Sequence, residues 1–324
     1  MSDKSKPSVE EFYNGKLKEK LQNLDKLRKE ILQHIKKYVL IGVLGGVLTG
    51  CIGVLIDFIF ILPIFLIPVI IFAIVKVNPL WKNYYNRFKA EIIKEIILFI
   101  NPDLSYDSTK KISQHIYKKS GIFQHSVDSY TGDDYVSGFN GETQIEFSEL
   151  HTQYKTVTYD SKGNRHEHWH TIFRGIFFSA DFSKNFNAQT FVLTDTAEKL
   201  FGFLGTKFQK INKSYGELVK LEDSDFEEKF VVYSDNQTEA RYLLSPSLMR
   251  RIVNFSEKSK KKIQLSFVDT RLYIAIPFNK SLFEPKLFGE IVGIDNVKEY
   301  YLDLLLANDL VDDLNLNIRI WSKE

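Results

Sequence analysis

The stretch VLIGVLGGVLTGCIGVLIDFIFILPIFLIPVIIFAIV, Val39 to Val75, contains one charged residue, Asp57, and no other part of the 324-residue chain approaches its density of Leu, Ile, Val and Phe. Each half around Asp57 supplies about 18 uncharged residues, which at about 1.5 Å per residue reach roughly 27 Å, close to the hydrocarbon thickness of a bilayer. The stretch therefore reads as a transmembrane hairpin of two short spans. It begins too far into the chain, and is too long, for the apolar region of a cleaved signal peptide, so the hairpin is expected to be retained.

Lysine and arginine crowd both flanks. Lys20, Lys26, Arg28, Lys29, Lys36 and Lys37 precede the hairpin, and Lys76, Lys82, Arg87 and Lys89 follow it, while the turn between the spans has no basic residue. The excess of positive charge on cytoplasmic flanks then places both ends inside, in a multi-pass membrane protein with only the turn near Asp57 approaching the far side. Trp81, Tyr84 and Tyr85 stand where an aromatic belt is expected. Gly42, Gly46 and Gly50 recur every four residues on the first span and form a face that admits a close helix backbone, either the second span or another copy in a homo-oligomer. Pro63 and Pro68 predict a kink in the second span. Asp57, midway between the spans, reads as an interfacial turn residue rather than an intramembrane carboxylate.

Outside the hairpin the composition is that of a water-soluble fold. Mean hydropathy is -0.18, and 26% of residues are charged and 14% aromatic, which excludes a disordered tail and requires a proper core. Net charge of +2 provides no global attraction to nucleic acid, and no nucleic-acid partner is expected. The single cysteine, Cys51, lies in the first span, which excludes an intrachain disulfide.

Ser8 and Glu11 have capping-box spacing and open an amphipathic helix carrying Leu17, Leu21, Leu24, Ile31 and Ile35, with Arg28 on a core position. Asn78 and Pro79 read as the cap of a new helix striped by Trp81, Tyr85, Phe88, Ile92, Ile96 and Phe99 and ended by Pro102. A shorter helix is expected from Ser108 to Gly121. From Phe123 strands dominate: 143–147, 154–159, 171–178, 190–193, 217–221, 229–233, 262–267 and 271–276, with helices at 247–257, begun by Ser245 and Pro246, and 297–306. The expected fold is α+β: an amphipathic helix (1–38), the hairpin (39–77), membrane-proximal helices (78–122) and a cytoplasmic domain with a largely antiparallel sheet (123–324).

Several segments resemble one family. They are Tyr130-Thr-Gly-Asp-Asp-Tyr-Val-Ser-Gly138, Phe147-Ser-Glu-Leu-His151, Phe173-Arg-Gly-Ile-Phe-Phe178 with Asp181 and Phe182, and the run from Leu221-Glu-Asp through Phe230-Val-Val-Tyr-Ser-Asp235 to Ala240-Arg-Tyr-Leu-Leu-Ser-Pro246. Over about Tyr84 to Pro285 the chain resembles the bacterial DUF3137 family, membrane-associated proteins of unassigned function. The resemblance implies a two-span hairpin in the bacterial inner membrane followed by a cytoplasmic domain, and supplies no catalytic residues.

Three clusters carry potential chemistry. His166, His168 and His170 alternate, so a strand would place all three imidazoles on one face, where they would bind Zn²⁺ or sense pH; the alternative is a solvated hairpin strand after the turn Asp160–Asn164. Asp133 and Asp134, among Gly132, Gly138 and Gly141, offer oxygen ligands to a cation or else simple turn chemistry. Arg250, Arg251, Lys260, Lys261 and Lys262 concentrate positive charge that would dock on anionic lipid headgroups, or form a solvated helix end. No nucleotide-binding loop, nucleophile elbow or zinc-protease motif is present, and no cofactor is assigned. Two functions follow: a membrane-anchored, non-enzymatic binding or interaction protein, whose partner is lipid or another membrane protein, or a metal-dependent hydrolase built on the histidine face or the acidic loop.

Overall fold

A computed structural model describes residues 8–55, 61–182, 185–194 and 215–316, so Asp57 lies outside the described residues. The N-terminal helix opens as its sequence requires. Ser8 Oγ accepts from the Glu11 amide at 3.2 Å, and the Glu11 carboxylate accepts from the Ser8 amide at 2.9 Å, satisfying two of the orphan donors of a helix start. Helix α1 (Val9–Phe12) passes through a π-helical turn (Tyr13–Leu17) into α2 (Lys18–Leu55), which carries the first apolar stretch. Helix α3 (Ile61–Phe88) carries the second and continues through another π-helical turn (Lys89–Ile93) into α4 (Lys94–Ile100).

Two helices are thus long and apolar enough to cross a membrane. Asn78 and Pro79 do not begin a new helix: α3 runs uninterrupted through both Pro68 and Pro79. Proline removes a single amide donor, a loss that the remaining turns of a long helix absorb.

The chain divides into two compact units, within Met1–Phe99 with Phe283–Tyr300 and within Ile100–Leu282 with Tyr301–Glu324. In the first, Leu17, Leu21, Leu24 and Ile31 on one side and Tyr84, Phe88, Ile92 and Ile96 on the other are fully or almost fully buried, so the amphipathic helix packs on its own protein. Arg28, on the core stripe, is buried with its guanidinium 2.7 Å from Asp25 and 3.1 Å from the Leu287 carbonyl. Residues 283–300 form a strap bound to the helices by polar contacts. Tyr84 donates to the Lys286 carbonyl at 2.9 Å, Lys89 Nζ lies 3.2 Å from Glu284, and Lys298 lies 2.9 Å from Glu10. Lys89 is wholly buried, its ammonium also 5.2 Å from the Tyr85 ring, which compensates a cation that burial alone would expel.

The second unit is built on one nine-stranded antiparallel sheet, which bears out the α+β expectation. Its strands are β1 (Leu104–Asp107), β2 (Ser129–Asn140), β3 (Thr143–Tyr159), β4 (Arg165–Asp181), β5 (Thr190–Thr194), β6 (Glu217–Val219), β7 (Phe230–Ser234), β8 (Gln264–Val268) and β9 (Arg271–Pro277), in the order β1-β2-β3-β4-β9-β8-β5-β7-β6. The stretches 143–147 and 154–159, expected as two strands, are one 17-residue strand. The stretch around Asp133, which reads as turn chemistry, is strand β2. Its glycines and aspartates serve a register shift between Asp133 and Val136.

Helix α5 (Gln114–Lys119) is capped by Ser113, not Ser108, and lays Tyr117 into a core with Leu150, Phe173, Phe177 and Tyr273. Ser108 instead follows β1, in a turn ordered by Asp107, whose carboxylate accepts from the Thr109 and Lys110 amides. Those hydrogen bonds, Thr109 first, hold the Asp107 carboxyl down at about 2. Asp223 caps the short helix α6 (Ser224–Lys229). Helices α7 (Gln237–Leu243), α8 (Pro246–Ser259, capped by Ser245 with Pro246 at its first position) and α9 (Ile294–Asp313) complete the described elements.

Candidate functional site

The bulge in β2 brings carboxylates together. Asp133 stands opposite Glu149 of β3, and Asp134 takes a left-handed backbone with φ of 57°. One oxygen from each of Asp133, Asp134 and Glu149 lies within 4.8 Å of the others. Asp134 and Glu149 are buried, and both are held by donors: Tyr106 Oη bonds Asp134, and the Leu282 amide bonds Glu149 at 2.8 Å. An all-oxygen trio suits a hard cation such as Mg²⁺ or Ca²⁺ and lacks the nitrogen and sulfur ligands that zinc prefers. Glu149 had no sequence signal, because its proximity depends on strand register across a hairpin.

The histidines lie elsewhere. Strands β3 and β4 run on as a two-stranded ribbon, because β2 covers β3 only as far as Gln153 and β9 covers β4 only from Gly175. His166, His168 and His170 do share one exposed face of that ribbon, as the alternation requires. Each ring faces a different cross-strand partner: Asp160 at 3.4 Å, Thr158 at 3.1 Å and Thr156 at 2.8 Å. His170 also stacks on Tyr154, which stacks on His125, with ring centroids 4.8 and 4.6 Å apart. The three imidazoles are thus spread along the strand, and among the described residues they do not converge as a ligand set. The opposite face carries Trp169 beneath the Lys155 ammonium, and Glu167 paired with both Lys155 and Arg165.

The basic cluster is divided among several partners. Arg251 donates to the Asp313 carbonyl at 3.3 Å, and Lys261 stands over the Phe278 ring at 3.9 Å. Lys260 is the left-handed cap of α8. Arg250, Lys260 and Lys262 are exposed. The neighbouring Lys258 lies 2.9 Å from Asp313, and that carboxylate raises the Lys258 pKa. Glu239 accepts from the Asn187 amide at 2.9 Å, and Arg241 donates to the Lys220 carbonyl.

On the first apolar helix the close approach falls at Gly45, where an added Cβ would overlap the Phe65 ring. Gly42 and Gly50 have open space at the Cβ position. The contact with α3 therefore does not use the Gly42 and Gly50 positions.

A polar cleft of about 480 Å³ lies over one end of the sheet, lined by Ser105, Tyr135, Ser137, Phe139, Glu146 and Arg271, among others. Arg271 bridges Glu146 at 3.0 Å and Ser179 Oγ at 2.7 Å, and Tyr135 donates to Glu146 at 2.9 Å. Burial first, then the Glu146 charge, raises the Tyr135 pKa. The cleft draws on strands β1, β2, β3 and β9, so no local motif announces it.

A search of curated proteins finds no match to this chain. Among solved structures, the crystal structure of the mycobacterial trehalose monomycolate transport factor A, TtfA, is similar at a TM-score of 0.30 and 10% identity, over 68% of this chain and 95% of that one. Residues 171–316 match the model of a family described as a protein of unknown function, DUF3137, the same family that the segments from Phe173 to Pro246 resemble.

Proposed function

We propose that this chain is a membrane-anchored, non-enzymatic binding protein, with α2 and α3 crossing the bacterial inner membrane, both flanks cytoplasmic, and the α+β unit engaging lipid headgroups or another membrane protein. The observation that carries the reading is the state of the apolar side chains. Leu44, Val47, Leu48 and Ile64 are each 63% exposed in the chain by itself, along helices that carry no polar face there. So large a contiguous apolar surface is untenable in water and ordinary in hydrocarbon. In membranes from cells expressing the full chain, alkaline carbonate is expected to leave it in the pellet. With Cys51 replaced by Ser, a cysteine at Lys29 or Lys82 is expected to react with an impermeant maleimide only after the inner membrane is opened; labelling in intact spheroplasts reverses the orientation.

One observation favours a second reading, metal-dependent hydrolysis: the convergence of Asp133, Asp134 and Glu149. That reading expects the purified chain to hold close to one divalent ion, lost in Glu149→Gln with the fold intact by circular dichroism. Equal metal content in wild type and variant removes it.

A further inference from the structure

Between the two long helices runs a groove of about 550 Å³, lined almost entirely by hydrocarbon: Val39 and Gly42 from α2, and Leu66, Ile70, Ala73 and Ile74 from α3, among others. The spacing is helical on both walls, so the groove follows the helix axes. Gly42 and Ala73 keep it open, and nothing lies within 4 Å of a Cβ placed on Gly42. At one end the lining turns amphipathic, with Tyr38, Asn78 and Trp81.

That end is also one-sided in charge. Between Glu30 and Glu91 the sequence has one acidic residue, Asp57, whereas Lys36, Lys37, Lys76 and Lys82 flank the amphipathic end. All four are exposed, and among the described residues none of them is in an ion pair. Lys76 instead stands over the Phe72 ring at 5.6 Å. An apolar channel ending in amphipathic rings beneath unpaired ammonium groups has the chemistry of one molecule: a phospholipid with a net negative headgroup.

We propose that this groove is a binding site for an anionic phospholipid, one acyl chain lying along Gly42 and Ala73 and the headgroup phosphate among Lys36, Lys37, Lys76 and Lys82. The inference rests on the reading that α2 and α3 lie in a bilayer. A helix of a second copy is the competing occupant, and the charge asymmetry favours the lipid, because a second copy would bring the same four lysines against these.

Native mass spectrometry of the full chain in mild detergent, titrated with phosphatidylglycerol or with phosphatidylcholine of the same acyl chains, tests this. One phosphatidylglycerol should be retained per chain, preferred over phosphatidylcholine by roughly five-fold for each lysine engaged. Gly42→Leu, or Ala73→Phe from the other wall, should abolish retention while helical circular dichroism is unchanged. Lys76→Gln with Lys82→Gln should keep a bound lipid and lower the headgroup preference by roughly twenty-five-fold. Equal retention in Gly42→Leu and wild type, or equal affinity for the two lipids, overturns the proposal. So does a wild-type dimer that Gly42→Leu dissociates without any lipid being lost. Release of the wild type by alkaline carbonate overturns the membrane reading itself and the lipid site with it, whereas a carbonate-resistant chain without a preferred lipid overturns the site alone.

Discussion

Replacing Gly175 with valine is expected to lower the melting temperature of the full chain by about 8–16 °C, corresponding to about 4 kcal/mol in a unit of this size. Gly175 sits in β4 opposite Pro277 of β9 with φ of 148°, a backbone conformation closed to residues with a Cβ. The cost has two sources. Strain at the backbone contributes about 1–3 kcal/mol. Overpacking contributes a similar amount, because a Cβ there would run into the Ile276 carbonyl, which belongs to a paired strand and cannot rotate away. Gly163 provides the control. Its φ is 80°, yet nothing lies within 4 Å of its Cβ position in the exposed turn after β3. Gly163→Ala should therefore cost only the left-handed penalty of about 1–2 kcal/mol. Equal shifts at the two positions, read by intrinsic fluorescence during heating, would contradict the packing argument.

Arg28→Ala is the second large effect, about 3 kcal/mol. Removing one member of a buried ion pair costs about 3–5 kcal/mol because its partner stays buried, and Lys29, 2.7 Å from the other Asp25 oxygen, keeps the cost at the low end. The loss is local to the strap as well, since Arg28 is also a donor to the Leu287 carbonyl. Limited trypsin digestion should then cut faster after Lys286, one residue away. Lysine at position 28 should not restore resistance, because a single ammonium cannot reproduce the forked geometry that serves Asp25 and Leu287 together. Lys29→Ala, at an exposed side chain, should change stability by no more than about 0.5 kcal/mol. An unchanged digestion rate in Arg28→Ala would show that the strap is held without it.

These two residues also mark how far the chain could be read before its structure. The two long apolar helices, the Ser8 and Glu11 capping box and the Ser245-Pro246 helix start were legible because their signals are local: an apolar run, or side chains a few residues apart. Strand β2 was hidden, since Gly132, Asp134 and Gly138 read as turn chemistry while serving a bulge and a close approach. A Cβ at Gly138 would overlap the Asp103 carbonyl. Arg28 looked like a flaw in an apolar stripe because its partner at Leu287 is remote in sequence. Among the candidate sites, the histidine alternation correctly placed three rings on one face, but only cross-strand register shows that each is taken by a separate neighbour. Glu149 and the Arg271 cleft were invisible for the same reason: each exists only once distant strands are aligned.

The strap also orders events in time. The helical unit lacks the carbonyls that accept from Tyr84 and Arg28, and the Glu284 carboxylate beside Lys89, until residues 283–300 exist. At about 5–20 residues per second, the ribosome needs roughly 10–40 s to travel from the end of α4 to the end of the strap. Throughout that interval the nascent chain holds a buried-to-be lysine and arginine in water. The sheet between them has the same interval to form. The helical unit is therefore begun first and completed late, so a truncation before residue 283 is expected to leave two apolar helices whose stem never closes.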